Sequence, residues 1–323
     1  MRGVEARRIV TRGRLIAAGF VALFLGVFAV LGAVSTSSPT TVVVPTAPGS
    51  VPSALWYWTM VVSSSDPNVL VLGTSNGLYR SGDGGKTWRA AGPKGVVTTS
   101  LVQAGNAIFV GGAPAPSPPV PRVRKGAART APDGSSVLAA STDGGKTWQE
   151  LHPRGLPNVS VQALAVDPAN ETTLYALLNN GRLYRSADGA RSFQLASSKL
   201  GIPPWAFVIT RSRQFVAGDM DSGSYVSPNG KAWRRTAYTD SRGGRMVMEY
   251  AVQPNDTTRV LMTSRGIEMS TDSGKTWHAA LKSDVMFGPV AWAPSKPEVA
   301  YAVGFDSSLW RSVDGGKRWT KAS

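Results

Sequence analysis

Cysteine is absent from all 323 residues, which excludes disulfides, thiolate metal ligands and a cysteine nucleophile. Histidine is almost as scarce. His152 and His278 are the only imidazoles, and neither falls in a spacing such as HxxxH that pairs two ligands on a metal. Transition-metal chemistry is not expected, and no cofactor is implied. Charged residues make up only 17% of the chain, with 20 acidic against 35 Lys and Arg. What is plentiful is Gly, Pro and Trp, at 35, 22 and 10 residues, a composition that suits many short strands joined by tight turns and disfavours an all-helical fold. A chain of this length fits one large all-β domain plus an anchor.

The first 34 residues differ from the rest. Arg2, Arg7, Arg8, Arg12 and Arg14 mark a basic segment, residues 1–14, ahead of the uncharged run 15–34. Twenty residues span about 30 Å as a helix, enough to cross a bilayer. No Lys or Arg follows until Arg80, so the positive-inside rule puts the N-terminus in the cytoplasm and the remainder outside it. The expectation is a single-pass membrane protein. A cleaved signal peptide is the alternative, because Ala33-Val34-Ser35 has the small-x-small form of a cleavage site. Residues 35–54, rich in Ser, Thr and Pro, read as an extended tether, although Thr41-Val42-Val43-Val44 could equally pair as a strand on a rim.

One pattern, Ser-x-Asp-x-Gly-x-x-Trp, recurs through residues 55–323. It stands at Ser81, Asp83, Gly85 and Trp88, and again at Ser141, Asp143, Gly145 and Trp148. Further copies are Ser186, Asp188 and Phe193, then Ser270, Asp272, Gly274 and Trp277, then Ser312, Asp314, Gly316 and Trp319. A sixth, degenerate copy runs from Ser227 to Trp233 with Asn229 in place of Asp. The leading serines are 60, 45, 41, 43 and 42 residues apart, the length of one four-stranded propeller blade, with an insertion at 112–134 accounting for the first interval. The expected fold is an all-β, six-bladed propeller of four-stranded antiparallel blades preceded by one transmembrane helix.

Local chemistry explains the pattern. The turn between third and fourth strands reverses tightly, so Gly85, Gly145, Gly274 and Gly316 are expected in backbone conformations that a Cβ would oppose. The Asp carboxylate can accept backbone N–H bonds, the Ser hydroxyl can close the other side of the turn, and the Trp ring packs beneath. These are structural roles, and no catalytic residue is assigned.

The octapeptide resembles the Asp-box, or BNR, repeat of sialidases, sortilin-type receptors and the photosystem II assembly and stability factor propellers. The resemblance implies the fold and leaves the function open, since those families hydrolyse glycosides, capture peptides or assist membrane-protein assembly. A sialidase would need an arginine triad and a Tyr–Glu nucleophile pair. No Arg-Ile-Pro segment occurs, and Glu249-Tyr250, the only adjacent Glu and Tyr, reads as part of a first strand. The sortilin type carries a cysteine-rich module that is lacking here. The compact assembly-factor group fits better, although it has seven blades where this repeat counts six.

Beyond the anchor, thirty basic and nineteen acidic residues leave a net charge of +11. Such a field favours an acidic or membrane-embedded protein partner, with an anionic glycan as the alternative and nucleic acid not expected. Connections between blades carry Lys94, Arg154, Lys199, Arg242, Arg245 and Lys282, which would ring the channel mouth on the face away from the Asp boxes or simply be solvated loop residues. The insertion carries Arg122, Arg124, Lys125 and Arg129 after a proline-dense stretch, as either a cationic arm or a bare surface loop. Aromatic and apolar residues of first strands, Trp56, Trp58, Trp205, Phe207, Met248, Phe287 and Trp292, either line a channel or fill the space between blades.

Overall fold

Two near-continuous apolar runs, β2 (Tyr57–Val62) and β3 (Leu70–Thr74), form a strand pair buried along its whole length. The chain then turns at Ser75-Asn76, where Thr74 Oγ1 accepts the Asn76 N–H, and returns as β4 (Gly77–Ser81) and β5 (Trp88–Ala91). The computed structural model of the chain describes residues 43–44, 46–93, 96–114, 137–198, 200, 205–240, 243–256 and 258–322. They belong to one unit, residues 40–114 and 133–323. The apolar segment 15–34, most of the 35–54 stretch before residue 46 and most of the 112–134 insertion lie outside the described residues. Among the described residues there is no helix long and apolar enough to cross a membrane.

The same meander repeats. A second sheet comprises β6 (Val96–Ala104), β7 (Ala107–Pro114), β8 (Val137–Ser141) and β9 (Gln149–Leu151). A third comprises β10 (Val161–Asp167), β11 (Asn170–Leu178), β12 (Leu183–Ser186) and β13 (Gln194–Ser197). The fourth holds β14 (Ala206–Ile209), β15 (Phe215–Asp219), β16 (Gly223–Ser227) and β17 (Arg234–Arg235). The last sheet has six strands: β18 (Glu249–Val252), β19 (Val260–Ser270), β20 (His278–Trp292), β21 (Ala300–Gly304), β22 (Leu309–Ser312) and β23 (Thr320–Lys321). All pairings between these strands are antiparallel.

The expectation of six separate blades is thereby corrected to four blades, the first of them widened to five strands by Val43–Val44, and one six-stranded sheet. The causes are β19, whose first half pairs with β18 and second half with β20, and β20, which pairs with β19 up to Met286 and with β21 from Phe287 onward. Elsewhere Gly or Pro breaks the chain between an outer strand and the next inner one, as at Gly92-Pro93 and Pro153 to Pro157. The corresponding residues Lys282-Ser283-Asp284-Val285 contain neither Gly nor Pro, and β20 runs through them and on through Gly288-Pro289.

Short β1 (Val43–Val44) pairs with β5, resolving the choice for that segment in favour of a rim strand. The N-terminal stretch also closes the ring. Val51 N–H donates to Ser307 O at 2.9 Å, Leu309 N–H donates to Gly49 O at 2.8 Å, and Ser50 bridges Ser308. Val51, Tyr57, Leu72 and Trp88 then share one buried cluster with Val299, Tyr301 and Leu309. Inner strands touch in cyclic order, β2, β6, β10, β14, β18, β20 and back to β2.

Side-chain hydroxyls stitch neighbouring sheets near the axis. Leu101 N–H donates to Thr59 Oγ1 at 3.0 Å, Leu164 N–H donates to Ser100 Oγ at 2.9 Å, and the Tyr250 hydroxyl donates to Ser224 Oγ at 2.9 Å. Each bond satisfies a buried polar group that would otherwise cost about 1–3 kcal/mol.

Candidate functional site

The Asp-box turns are closed systems. Ser141 Oγ donates to Asp143 Oδ1 at 2.8 Å and accepts the Gly145 N–H at 2.9 Å, while the Thr147 hydroxyl donates to Asp143 Oδ2 at 2.5 Å. The geometry recurs at Ser81 and Asp83, Ser186 and Asp188, Ser270 and Asp272, and Ser312 and Asp314. In the degenerate copy Ser227 bonds to Asn229 at 3.2 Å. Hydrogen bonds from Thr147 hold the Asp143 carboxyl well below the usual carboxylate range, and those from Ser192 do the same to Asp188. Both oxygens of each of these carboxylates are bonded within its own turn. Trp88 and Trp319 lie buried beneath their turns with the indole N–H on the Gly85 and Gly316 carbonyls, and Phe193 fills the corresponding slot.

Of the basic residues of the inter-blade connections, Arg154, Arg245 and Lys282 lie among the described residues. Arg154 is exposed and held by its backbone against the Asp-box turn of the third sheet, with Arg154 N–H donating to Arg191 O and Phe193 N–H to Arg154 O. Arg245 lies over Gly223 at the β15–β16 turn. Lys282 is exposed and offsets Glu268, whose carboxyl is pushed up to about 7, first by burial and then by Asp240. Lys94, Lys199, Arg242, Arg122, Arg124, Lys125 and Arg129 lie outside the described residues.

Side chains converge on the axis of the ring. A cavity of about 60 Å³ is lined by residues from all six inner strands, among them Thr59, Ser100, Gln162, Phe207 and Glu249, with Trp205 at the start of β14. Trp58 meets Trp205 with ring centroids 5.8 Å apart, and Trp56 stacks on Trp58 at 5.4 Å with planes 10° apart. Phe305 adds an edge contact to Trp56. The remaining first-strand residues mostly fill space between sheets: Phe207 packs with Leu177 and Ala217, while Phe287 and Trp292 pack with Leu261 and Ala302.

Glu249 is the only carboxylate lining the cavity, and Tyr250 is the only other titratable side chain there. Burial pushes the Glu249 carboxyl up to about 8, against which the Tyr250 N–H, donating to Oε1 at 3.2 Å, is a weak counterweight. Sequence reasoning placed Glu249 in a first strand and gave it no role. A signal was available: Gln162 and Glu249 are polar residues inside otherwise apolar inner strands. No group of three or more His, Asp or Glu that could hold a metal exists among the described residues.

A closed ring of antiparallel meanders, each carrying an Asp-box turn between its outer strands, around an axial cavity defines an Asp-box β-propeller. Residues 139–150 match the BNR/Asp-box repeat family. In fold the chain is similar to the structure of YCF48 bound to D1 peptide, at 20% identity, covering 88% of this chain and 87% of that one with a TM-score of 0.50. It is similar also to a GH74 xyloglucanase from Xanthomonas campestris, at 17% identity over 87% of this chain and 46% of that one, TM-score 0.50. Among curated proteins, a probable oligoxyloglucan-reducing end-specific xyloglucanase of Neosartorya fischeri is 28% identical over 187 residues, 53% of this chain and 22% of the relative. A second such xyloglucanase, of Emericella nidulans, is 26% identical over 176 residues, 49% and 21% respectively. The chain thus spans about a fifth of the length of these curated relatives.

Proposed function

We propose that this chain is a protein-binding scaffold, a propeller of six Asp-box units held at a membrane by the segment 15–34 with the propeller outside the cytoplasm. The observation that carries the reading is the match along nearly the whole of both chains to a propeller that takes a peptide. Two features of this molecule support it. Its Asp-box carboxylates are spent inside their turns, whereas the cation that follows each turn, at Lys86, Lys146, Arg191, Lys231, Lys275 and Lys317, stands exposed. The six inner strands that line the axis support the count of six units, with β20 serving two of them. The partner this charge favours is acidic and membrane-associated.

A second reading, a glycan-binding or glycoside-hydrolysing propeller, is favoured by the xyloglucanase matches and by the aromatic stack of Trp56 and Trp58, a surface suited to sugar rings. Against hydrolysis stands the lining of the cavity, where Glu249 has no second carboxylate with which to divide acid and nucleophile roles.

Crosslinking of tagged full-length protein in native membranes separates the two, run beside a variant neutralised at Arg122, Arg124, Lys125 and Arg129. Recovery of one membrane protein complex by the parent and its loss from the variant is the result expected. Cleavage of xyloglucan oligosaccharides by the purified chain, with no protein crosslinked, overturns the scaffold reading. Anchoring and orientation are checked by reporter fusions before residue 15 and after residue 323.

A further inference from the structure

The axial cavity combines three features that point to one class of ligand. Its single acid, Glu249, has no ion-pair partner among the described residues, and the only hydrogen bond it receives there comes from the backbone of its own neighbour. Trp205 and Phe207 share the lining with it, Phe207 also packing against Leu177 and Ala217 behind it. At about 60 Å³ the space holds on the order of four waters, the size of a small organic head group. A carboxylate without a cation in such a place is costly, and an aromatic wall stabilises a cation but not an anion.

We propose that the cavity is a binding site for an ammonium or guanidinium group, ion-paired to Glu249 and bordered by Trp205 and Phe207. Thr59 and Ser100 line the same space, and each hydroxyl is fixed by accepting a backbone N–H. The cation can arrive as a free small amine or as the side chain of a lysine or arginine on a partner. Because burial keeps Glu249 largely protonated near neutral pH, entry of the cation displaces its proton to solvent. Tyr250, the other titratable group of the lining, stays neutral throughout, its hydroxyl being held above its ordinary range by burial.

The test is calorimetric titration of the full-length protein with methylammonium chloride, methylguanidinium chloride and N-acetyl-lysine amide, with sodium chloride as the ionic-strength control. At pH 7, in two buffers of different ionisation enthalpy, saturable binding of at least one organic cation is expected with close to one proton released. Binding at least tenfold weaker in Glu249→Gln, and no proton release at pH 9.5, complete the expected result. Binding of methylammonium alone identifies a free amine as the source, and binding of the lysine amide as well identifies a side chain. The proposal is overturned if no organic cation saturates, or if Glu249→Gln, folded by circular dichroism, binds as tightly as the parent.

Discussion

Trp58 and Trp205 sit three places apart in the cyclic order of inner strands, yet their rings meet at 5.8 Å over the axis of the propeller. The contact joins the first and fourth sheets, and Trp205 also lines the axial cavity. Trp58 is buried and Trp205 only partly so. Trp205→Ala is therefore expected to cost about 1–3 kcal/mol, less than a fully buried tryptophan would. It should also admit quencher to the axis. Chemical denaturation measures the first effect, and acrylamide quenching of the remaining tryptophans, expected to rise, measures the second.

Glu249 gives the fold a pH dependence of definite sign. Its carboxyl is raised to about 8 in the folded protein from an ordinary value of 4.5, so the folded state holds the proton more tightly than the unfolded chain. The stability this supplies is full below pH 4.5 and is lost as pH climbs through 8, by a few kcal/mol at most. Glu249→Gln keeps the neutral shape and abolishes the loss. Melting temperatures of parent and variant should coincide at pH 4.5 and diverge toward pH 9, with the variant higher. Parallel curves across that range would show that Glu249 is hydrated and ordinary.

Much of this architecture was legible because the Asp box is a local device. Ser141, Asp143, Gly145 and Thr147 bond to one another within seven residues, so the sequence pattern and the structure are the same fact. Second and third strands follow from apolar runs adjoining each box. The join at β20 was not legible, since the strand runs through Gly288-Pro289, which the sequence alone marks as a break, and a missing turn leaves no mark in a repeat count. Nor was the axial site, whose residues come from six strands spread over more than 230 positions and meet only when the ring closes. Among the basic connections, Arg154 is held by backbone hydrogen bonds to Arg191 and Phe193, a contact between segments distant in sequence that no local pattern marks.

The Ser of the box should matter more than its small size suggests. Ser141 is buried, donates to Asp143 and accepts the Gly145 N–H. Ser141→Ala leaves that N–H without a partner at a cost of about 1–3 kcal/mol. Asp143→Asn offers a subtler probe: the native carboxyl is depressed, so its contribution is present above the ordinary carboxylate range and fades as pH falls below it. Denaturation midpoints of parent and Asp143→Asn should therefore differ at pH 6 and draw together toward pH 2.5. A constant gap would mean that shape rather than charge sets the role of Asp143.

Two glycines with the same backbone sign separate conformational strain from packing. Gly85 and Gly189 both have positive φ, at 92° and 70°, so an added Cβ costs each about 1–2 kcal/mol of backbone strain. Their surroundings differ. A Cβ at Gly189 meets nothing within 4 Å, whereas one at Gly85 falls 2.1 Å from Leu309 Cδ2, in the cluster that closes the ring. The third sheet shows that the Gly85 place in the turn can carry a methyl where no such neighbour intrudes, since Ala190 occupies it at φ 66°. Gly85→Ala should thus destabilise by at least about 1–3 kcal/mol more than Gly189→Ala, the cost of overpacking a filled core. Urea midpoints of the two variants decide it: equal losses would mean that Leu309 moves aside freely, and that the seam between first and last strands is looser than its buried contacts imply.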